Sequence, residues 1–312
     1  TTSRRTGDMI PPSWLWIPLT VFAAAAQTVR NTAQRHLTAE LGTLGATLVR
    51  FLYGMPVLAV WLCLVLLFGE SPHPALTWTF GGWVVVAALS QMAGTALLLR
   101  AMETRSFAIG LVYSKSEVIQ VGLFSVLFLG ETLSTAAAVA IVVATLGVVL
   151  LSPRPPVLDG EKRSWADPAA FYGLASGSAF AISVVGYRGA NLALEAGSPF
   201  LAAAETLFWS QLLQASLLCL WLLAHNPVIV LGALRQWRVS MFAGVAGALA
   251  SLANVTALAL APASQVRTLI LIEVVFSYFV SRRVFNESMN RRELAGIVLI
   301  MAGVVLILST AH

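Results

Sequence analysis

The sequence predicts an all-α membrane protein of ten transmembrane helices, arranged as two inverted five-helix repeats. Three observations carry that expectation: an apolar composition, ten long apolar runs separated by breakers, and residue matches at one offset of half the chain. Of 312 residues, 58% are hydrophobic and 11% charged, with a mean hydropathy of +0.83, beyond the balance of a soluble domain. A spanning helix needs about 20 apolar residues, so the length suffices for about ten spans with short loops and no separate soluble domain.

In chain order the apolar runs place helices at 13–35, 42–68, 79–100, 106–129 and 134–151, then at 168–190, 199–224, 237–260, 264–285 and 291–309. The first follows a basic start, TTSRRTGDMIPPSWLW, without a small-residue cleavage site, and reads as a retained helix rather than a signal peptide. Trp14, Trp16, Trp78, Trp83 and Trp237 fall near helix starts, where an amphipathic indole suits the headgroup zone. Pro72, Pro74, Pro153, Pro155, Pro156, Pro199, Pro227 and Pro262 mark connections, because proline removes a backbone donor and disfavours helix in the residue before it. The longest polar stretch, SPRPPVLDGEKRSWADP at 152–168, joins the halves 1–155 and 156–312. Cys63 and Cys219 sit in leucine-rich runs and read as apolar packing, not as a disulfide or metal ligands.

Sliding the chain by 155 or 156 residues places Glu117 on Glu273, Glu131 on Glu287, Gly147 on Gly303 and Cys63 on Cys219. Five helices per half is an odd number, so the second copy enters the membrane in the opposite orientation. Secondary transporters use this inverted-repeat plan and bind substrate near the bilayer midplane, between the repeats.

Two segments then carry a family resemblance: AMETRSFAIGLVYSKSEVIQVGLFSVLFLGETLSTAAAVAIVVATLGVVLL and ALALAPASQVRTLILIEVVFSYFVSRRVFNESMNRRELAGIVLIMAGVVLIL. Each has a small-residue helix end, a long apolar helix with a mid-helix glutamate, a turn with a glutamate and a glycine-containing helix. The chain resembles the EamA-type members of the drug/metabolite transporter superfamily over nearly its whole length. Two departures stand out. Val118 and Val274 occupy the position of the proline that commonly follows the mid-helix glutamate, so the sequence supplies no proline to distort either helix. Asn286 replaces the turn glycine of the second copy.

Ionisable residues within a span cost about 2.5–3.5 kcal/mol each on insertion scales, so they normally face a cavity or each other. Glu117 and Glu273 read either as titratable, cation-contacting carboxylates of a central cavity or as helix-packing contacts. Lys115 has no counterpart, since Leu271 occupies its place, and reads either as a site residue or as half of an internal ion pair. Gln27, Arg30, Asn31 and Gln34 recur at helical spacing and form one polar face of the first helix, suited to a cavity, the alternative being an Arg30 that snorkels to the interface. Arg50 and Glu205, related by 155 residues, place opposite charges at one repeat position, and Glu205 reads as a cavity residue that could meet a solute's cationic end. Arg50 divides between cavity and interface, and Arg267, one turn from a helix start, is expected to snorkel to the interface. Gln91, Tyr113 and Asn254 offer hydrogen bonds to a polar solute or between helices. Glu131 and Glu287, at helix ends, are expected to cap the helices that follow them.

The net charge of +5 comes from arginines scattered at the ends of apolar runs, a topology signal rather than a nucleic-acid face. Arg35, Arg100, Arg154, Arg235 and Arg291 fall on one side; Arg4, Arg5 and Arg188 fall on the other. That bias puts both termini outside the cytoplasm, whereas the resemblance implies cytoplasmic termini. No nucleophile, metal-ligand or phosphate-loop pattern is present, and the four histidines are read as lying in loops or at the terminus, so neither an enzyme nor a metal or cofactor is expected. The resemblance implies a metabolite exporter in the inner membrane of a bacterium. A cavity with both signs of charge suits an amino acid or related zwitterion, with protons as a candidate coupling ion. An organic anion or phosphate ester is favoured if Arg30, Arg50 and Lys115 converge while the carboxylates are paired elsewhere. A flippase for a polar lipid headgroup is the remaining reading.

Overall fold

Many small residues are buried in this chain while many large apolar ones face outward, unlike the surface of a soluble domain. Ala87, Ala144, Ala181, Ala203 and Ala250 are fully buried, whereas Leu67, Phe68, Leu127, Phe128 and Leu146 are exposed. Hydrocarbon is the solvent such a surface suits, and small residues let helix backbones approach where no hydrophobic drive separates helix from lipid. The computed structural model describes residues 11–69, 74–104, 113–151, 168–285 and 290–310.

Among these there is no strand. The helices are α1 (Trp16–Phe68), α2 (Trp78–Thr104), α3 (Glu117–Leu129), α4 (Thr135–Leu151), α5 (Pro168–Ala193), α6 (Pro199–His225), α7 (Pro227–Arg235), α8 (Trp237–Leu260), α9 (Ala263–Leu269), α10 (Ile272–Phe285) and α11 (Arg291–Ser309). Stretches long and apolar enough to cross a membrane are Glu40–Phe68, Trp78–Ala101, Ala170–Ala193, Pro199–His225, Trp237–Leu260 and Arg291–Ser309; α3 and α4 are apolar but shorter. The chain is an integral membrane protein.

Several expected boundaries change. The loop expected at 36–41 is helical: α1 continues to Gly42, whose φ of 69° and ψ of 176° bend the chain in a conformation open to glycine. No breaker precedes Gly42 in RHLTAEL, so the helix has no local reason to stop sooner. His36 lies inside α1 and His225 is the last residue of α6, so neither is in a loop. The short helix α7 is not expected from the sequence, because Pro227, a connection marker there, starts a helix, where a missing N–H costs nothing. Gln236, at the α7–α8 junction, donates to Glu40 beside the α1 bend.

Glu131 caps a helix other than the one expected. Its Oε2 accepts from Ala263 N, the first residue of α9, at 3.1 Å, not from the helix that follows it. Its Oε1 pairs with Arg188 Nε of α5 at 2.8 Å, so Arg188 is a paired residue. Glu287 lies outside the described residues.

The largest helix contacts are α1 with α8, α2 with α5, and α4 with α11. On α5, Ser176 and Ser183 hydroxyls donate to Gly94 O at 2.8 Å and Ala87 O at 2.9 Å on α2. On α8, Gly244 approaches Tyr53 and Gly54, and Gly247 leaves room for Arg30 and Arg50. Gly147 and Gly303, matched by the 156-residue offset, pack in the same α4–α11 seam. A Cβ at Gly147 would lie 2.7 Å from Gly296 O, and one at Gly303 would lie 2.6 Å from Ala144 Cβ. Overpacking of this kind costs about 1–3 kcal/mol. Gly303→Leu is expected to lower the melting temperature in detergent, while Gly82→Leu, where an added Cβ meets nothing within 4 Å, leaves it unchanged.

Candidate functional site

Both repeat glutamates sit where a helix breaks. Before α3 the chain turns at Lys115 and Ser116, with Ser116 N bonded to Tyr113 O at 3.1 Å and Val118 N to Lys115 O at 3.4 Å. Between α9 and α10, Leu271 N bonds Thr268 O at 3.2 Å and Val274 N bonds Leu271 O at 3.0 Å. These are tightened three-residue turns, and they fall at positions related by the repeat offset. The distortion therefore occurs without proline. Gly177 on α5 admits the first break, since a Cβ there would lie 2.9 Å from Ser116 Oγ. Glu117 is the first residue of α3 and Glu273 the second of α10, so each carboxylate sits at the positive end of a helix dipole.

The breaks open onto a cavity of about 260 Å³. Gln27, Arg30, Asn31 and Arg50 of α1, Gln91 of α2, Lys115 and Glu117 at the first break, Asn254 of α8 and Glu273 of α10 all line it. Each glutamate takes its partner from the other half of the chain. Glu117 Oε1 lies 2.5 Å from Arg267 Nη2. Neither that oxygen nor Arg267 Nε has an aligned hydrogen bond, so charge rather than direction holds the pair. Glu273 Oε1 accepts from Asn31 Nδ2 at 2.7 Å. Asn31 Oδ1 in turn accepts from Arg30 Nη2 at 2.8 Å and Nε at 3.2 Å, and Gln27 Oε1 takes Nη2 at 3.3 Å.

Two cations remain. Arg50 and Lys115 line the cavity, and neither side chain makes a hydrogen bond or ion pair among the described residues. Arg50 rests over its neighbour, the Phe51 ring, at 5.5 Å. One wall of the cavity is a neutral cluster, in which Tyr187 OH donates to Gln91 Oε1 at 2.5 Å and Gln214 Nε2 donates to the same oxygen at 3.0 Å.

Two expected site residues are not brought in. Glu205 is buried on α6, accepts from Trp209 Nε1 at 2.9 Å and does not line the cavity. Leu207, two residues on, does line it, and a spacing of two puts the pair on different helix faces. Tyr113 is half-buried outside the lining. The Gln34 side chain lies outside the described residues. Arg267 corrects the expectation of snorkelling: α9 ends two residues after it, so it sits beside the break rather than at the membrane edge. Ser183 and Tyr187 line the cavity but were not singled out. The signal for both was available, because the 156-residue offset carries Gln27 onto Ser183 and Asn31 onto Tyr187.

Breaking a fully buried ion pair costs about 3–5 kcal/mol, mostly from the charge left behind. The Arg267 side chain is 20% exposed, so a smaller loss is expected here. Arg267→Gln is expected to lower the melting temperature more than the Glu117→Gln/Arg267→Gln double variant does, a coupling that a double-mutant cycle measures.

The family model described as the EamA-like transporter family matches residues 14–152 and 167–309. A comparison with curated proteins gives no match. One solved structure, described only as the crystal structure of a protein, shares 14% identity with this chain, covers 96% of both chains and superposes with a TM-score of 0.67, a likeness of fold alone. With both halves matched, the chain belongs to the EamA-like transporter family, whose members carry small solutes across membranes and are not enzymes.

Proposed function

We propose that the cavity carries a small organic anion, a carboxylate or phosphate ester. The observation that supports this reading is the state of the charges. Arg30, Arg50, Lys115 and Arg267 stand against Glu117, which Arg267 pairs, and Glu273, which accepts from the neutral Asn31 amide, while Arg50 and Lys115 make no hydrogen bond or ion pair among the described residues. An uncompensated cation within a span is costly, and a substrate anion is the natural counter-charge. Phe180, Val184 and Leu207 supply apolar lining for the body of the solute. The volume falls just below the range of roughly 300–1,000 Å³ typical of drug-sized ligand pockets, which suits a metabolite.

A zwitterionic amino acid is the second reading. Glu273 supports it, because its aligned partner is the neutral amide of Asn31, leaving carboxylate capacity for an ammonium group. The two halves act as inverted five-span repeats that alternate around the cavity, in keeping with contacts related by the 156-residue offset. A coupling proton is carried by Glu273 rather than by Glu117, which Arg267 holds. Uptake against a gradient with unchanged pH dependence in the Glu117→Gln/Glu273→Gln variant rules out that coupling.

A thermal-shift screen of purified protein against carboxylates, phosphate esters, amino acids and amines tests the substrate class. Carboxylates or phosphate esters are expected to raise the melting temperature, and amines are not. A hydrogen bond to a charged group is worth about 1.5–3 kcal/mol, so Arg50→Gln and Lys115→Gln are each expected to weaken the apparent affinity roughly tenfold or more. A response to amines alone, or full retention of the anion response in both variants, overturns the reading.

A further inference from the structure

Beyond the cavity, on the side where α8 ends, a second ionic cluster joins the two halves and takes no part in the site described above. Glu131, from the first half, binds Arg188 Nε at 2.8 Å and caps Ala263 N at 3.1 Å, both in the second half. Arg188 Nη1 donates to Leu258 O at 2.8 Å and Ala259 O at 3.1 Å, carbonyls of the last turn of α8. Helix ends leave such carbonyls unpaired, and a cation there is also favoured by the dipole. One turn earlier, Asn191 Nδ2 donates to Val255 O at 3.0 Å.

The cluster lies directly past the cavity wall. Arg188 follows Tyr187, and Leu258 lies one turn beyond Asn254; Tyr187 and Asn254 both line the cavity. The α5–α8 seam is thus pinned immediately beyond the solute's position, by groups from both halves. The pair is also only partly buried, at 12% and 11% side-chain exposure. Water can reach it and replace its bonds when the halves part, which a fully dry pair would resist.

We infer that Glu131 and Arg188 form a lock that closes this end of the cavity and must open in each transport cycle. The inference rests on the alternating-access reading above. Its test uses the full chain in sealed vesicles, with Cys63→Ser and Cys219→Ala, a cavity reporter Ser251→Cys, and a membrane-impermeant maleimide added to either face. In this parent, labelling from the Glu131 end is expected to be slow and labelling from the opposite end fast. Glu131→Gln is expected to speed labelling from the Glu131 end about tenfold, the population shift of a closed state that loses an ion pair. Arg188→Lys, which keeps the charge, restrains that increase.

Joining Glu131→Cys to Arg188→Cys with a short bis-maleimide, before the reporter is labelled, is expected to abolish labelling from that end and spare the other. Equal labelling from both ends in the parent overturns alternating access, and the lock with it. One-sided labelling that neither Glu131→Gln nor the crosslink alters overturns the lock alone, even where the melting temperature falls.

Discussion

A carboxylate in a membrane interior must be matched, and the placing of Glu117 and Glu273 follows from that constraint. Each sits at the start of a half-helix, where backbone N–H groups without helical partners and the dipole favour negative charge. Each is also met by a side chain from the other half, Arg267 for Glu117 and Asn31 for Glu273. The reciprocity makes the two helix breaks and the junction of the halves one structure. Removing Arg267 would leave the buried Glu117 charge beside a break that no proline maintains.

The breaks need room, and small residues supply it. Gly177 lets the Ser114–Ser116 turn press on α5, and Gly247 lets Arg30 and Arg50 lie together against α8. The α4–α11 seam, closed by Gly147, Gly296 and Gly303, holds the ends of the two halves together away from the cavity. In hydrocarbon such close approach of backbones adds to the packing of the buried leucines and isoleucines as a source of cohesion. Leu127, Phe128 and Leu146 are accordingly left facing outward.

Symmetry in the scaffold and asymmetry in the site then divide the work. Glu117 and Glu273, or Gln27 and Ser183, occupy equivalent places in the two repeats and line one cavity. Arg50 and Lys115 have no like-charged equivalents: Leu271 is buried opposite Lys115, and Glu205 turns away to Trp209. Net positive character in the cavity comes from these unmatched positions. The features that build the fold recur, and those suited to choosing a solute do not.

The sequence alone determined the membrane class, the two-copy organisation and most helix boundaries, because those depend on apolar length and on a repeat offset that needs no coordinates. It also singled out Gln27, Arg30, Asn31 and Lys115, which line the cavity, since a charge inside a span has few other places to go. What only the tertiary structure decided was pairing. Arg267 read as interfacial because its distance from a helix start was legible while the break two residues beyond it was not. Glu131 read as the cap of its own successor, whereas its partners are Ala263 and Arg188, 132 and 57 residues away in sequence. Glu205 read as a cavity residue because its depth in the membrane was legible but its rotation about α6 was not. Depth is a one-dimensional property that a chain carries in its hydropathy. Which faces meet, and hence which charges are left without partners, is fixed only when the helices pack.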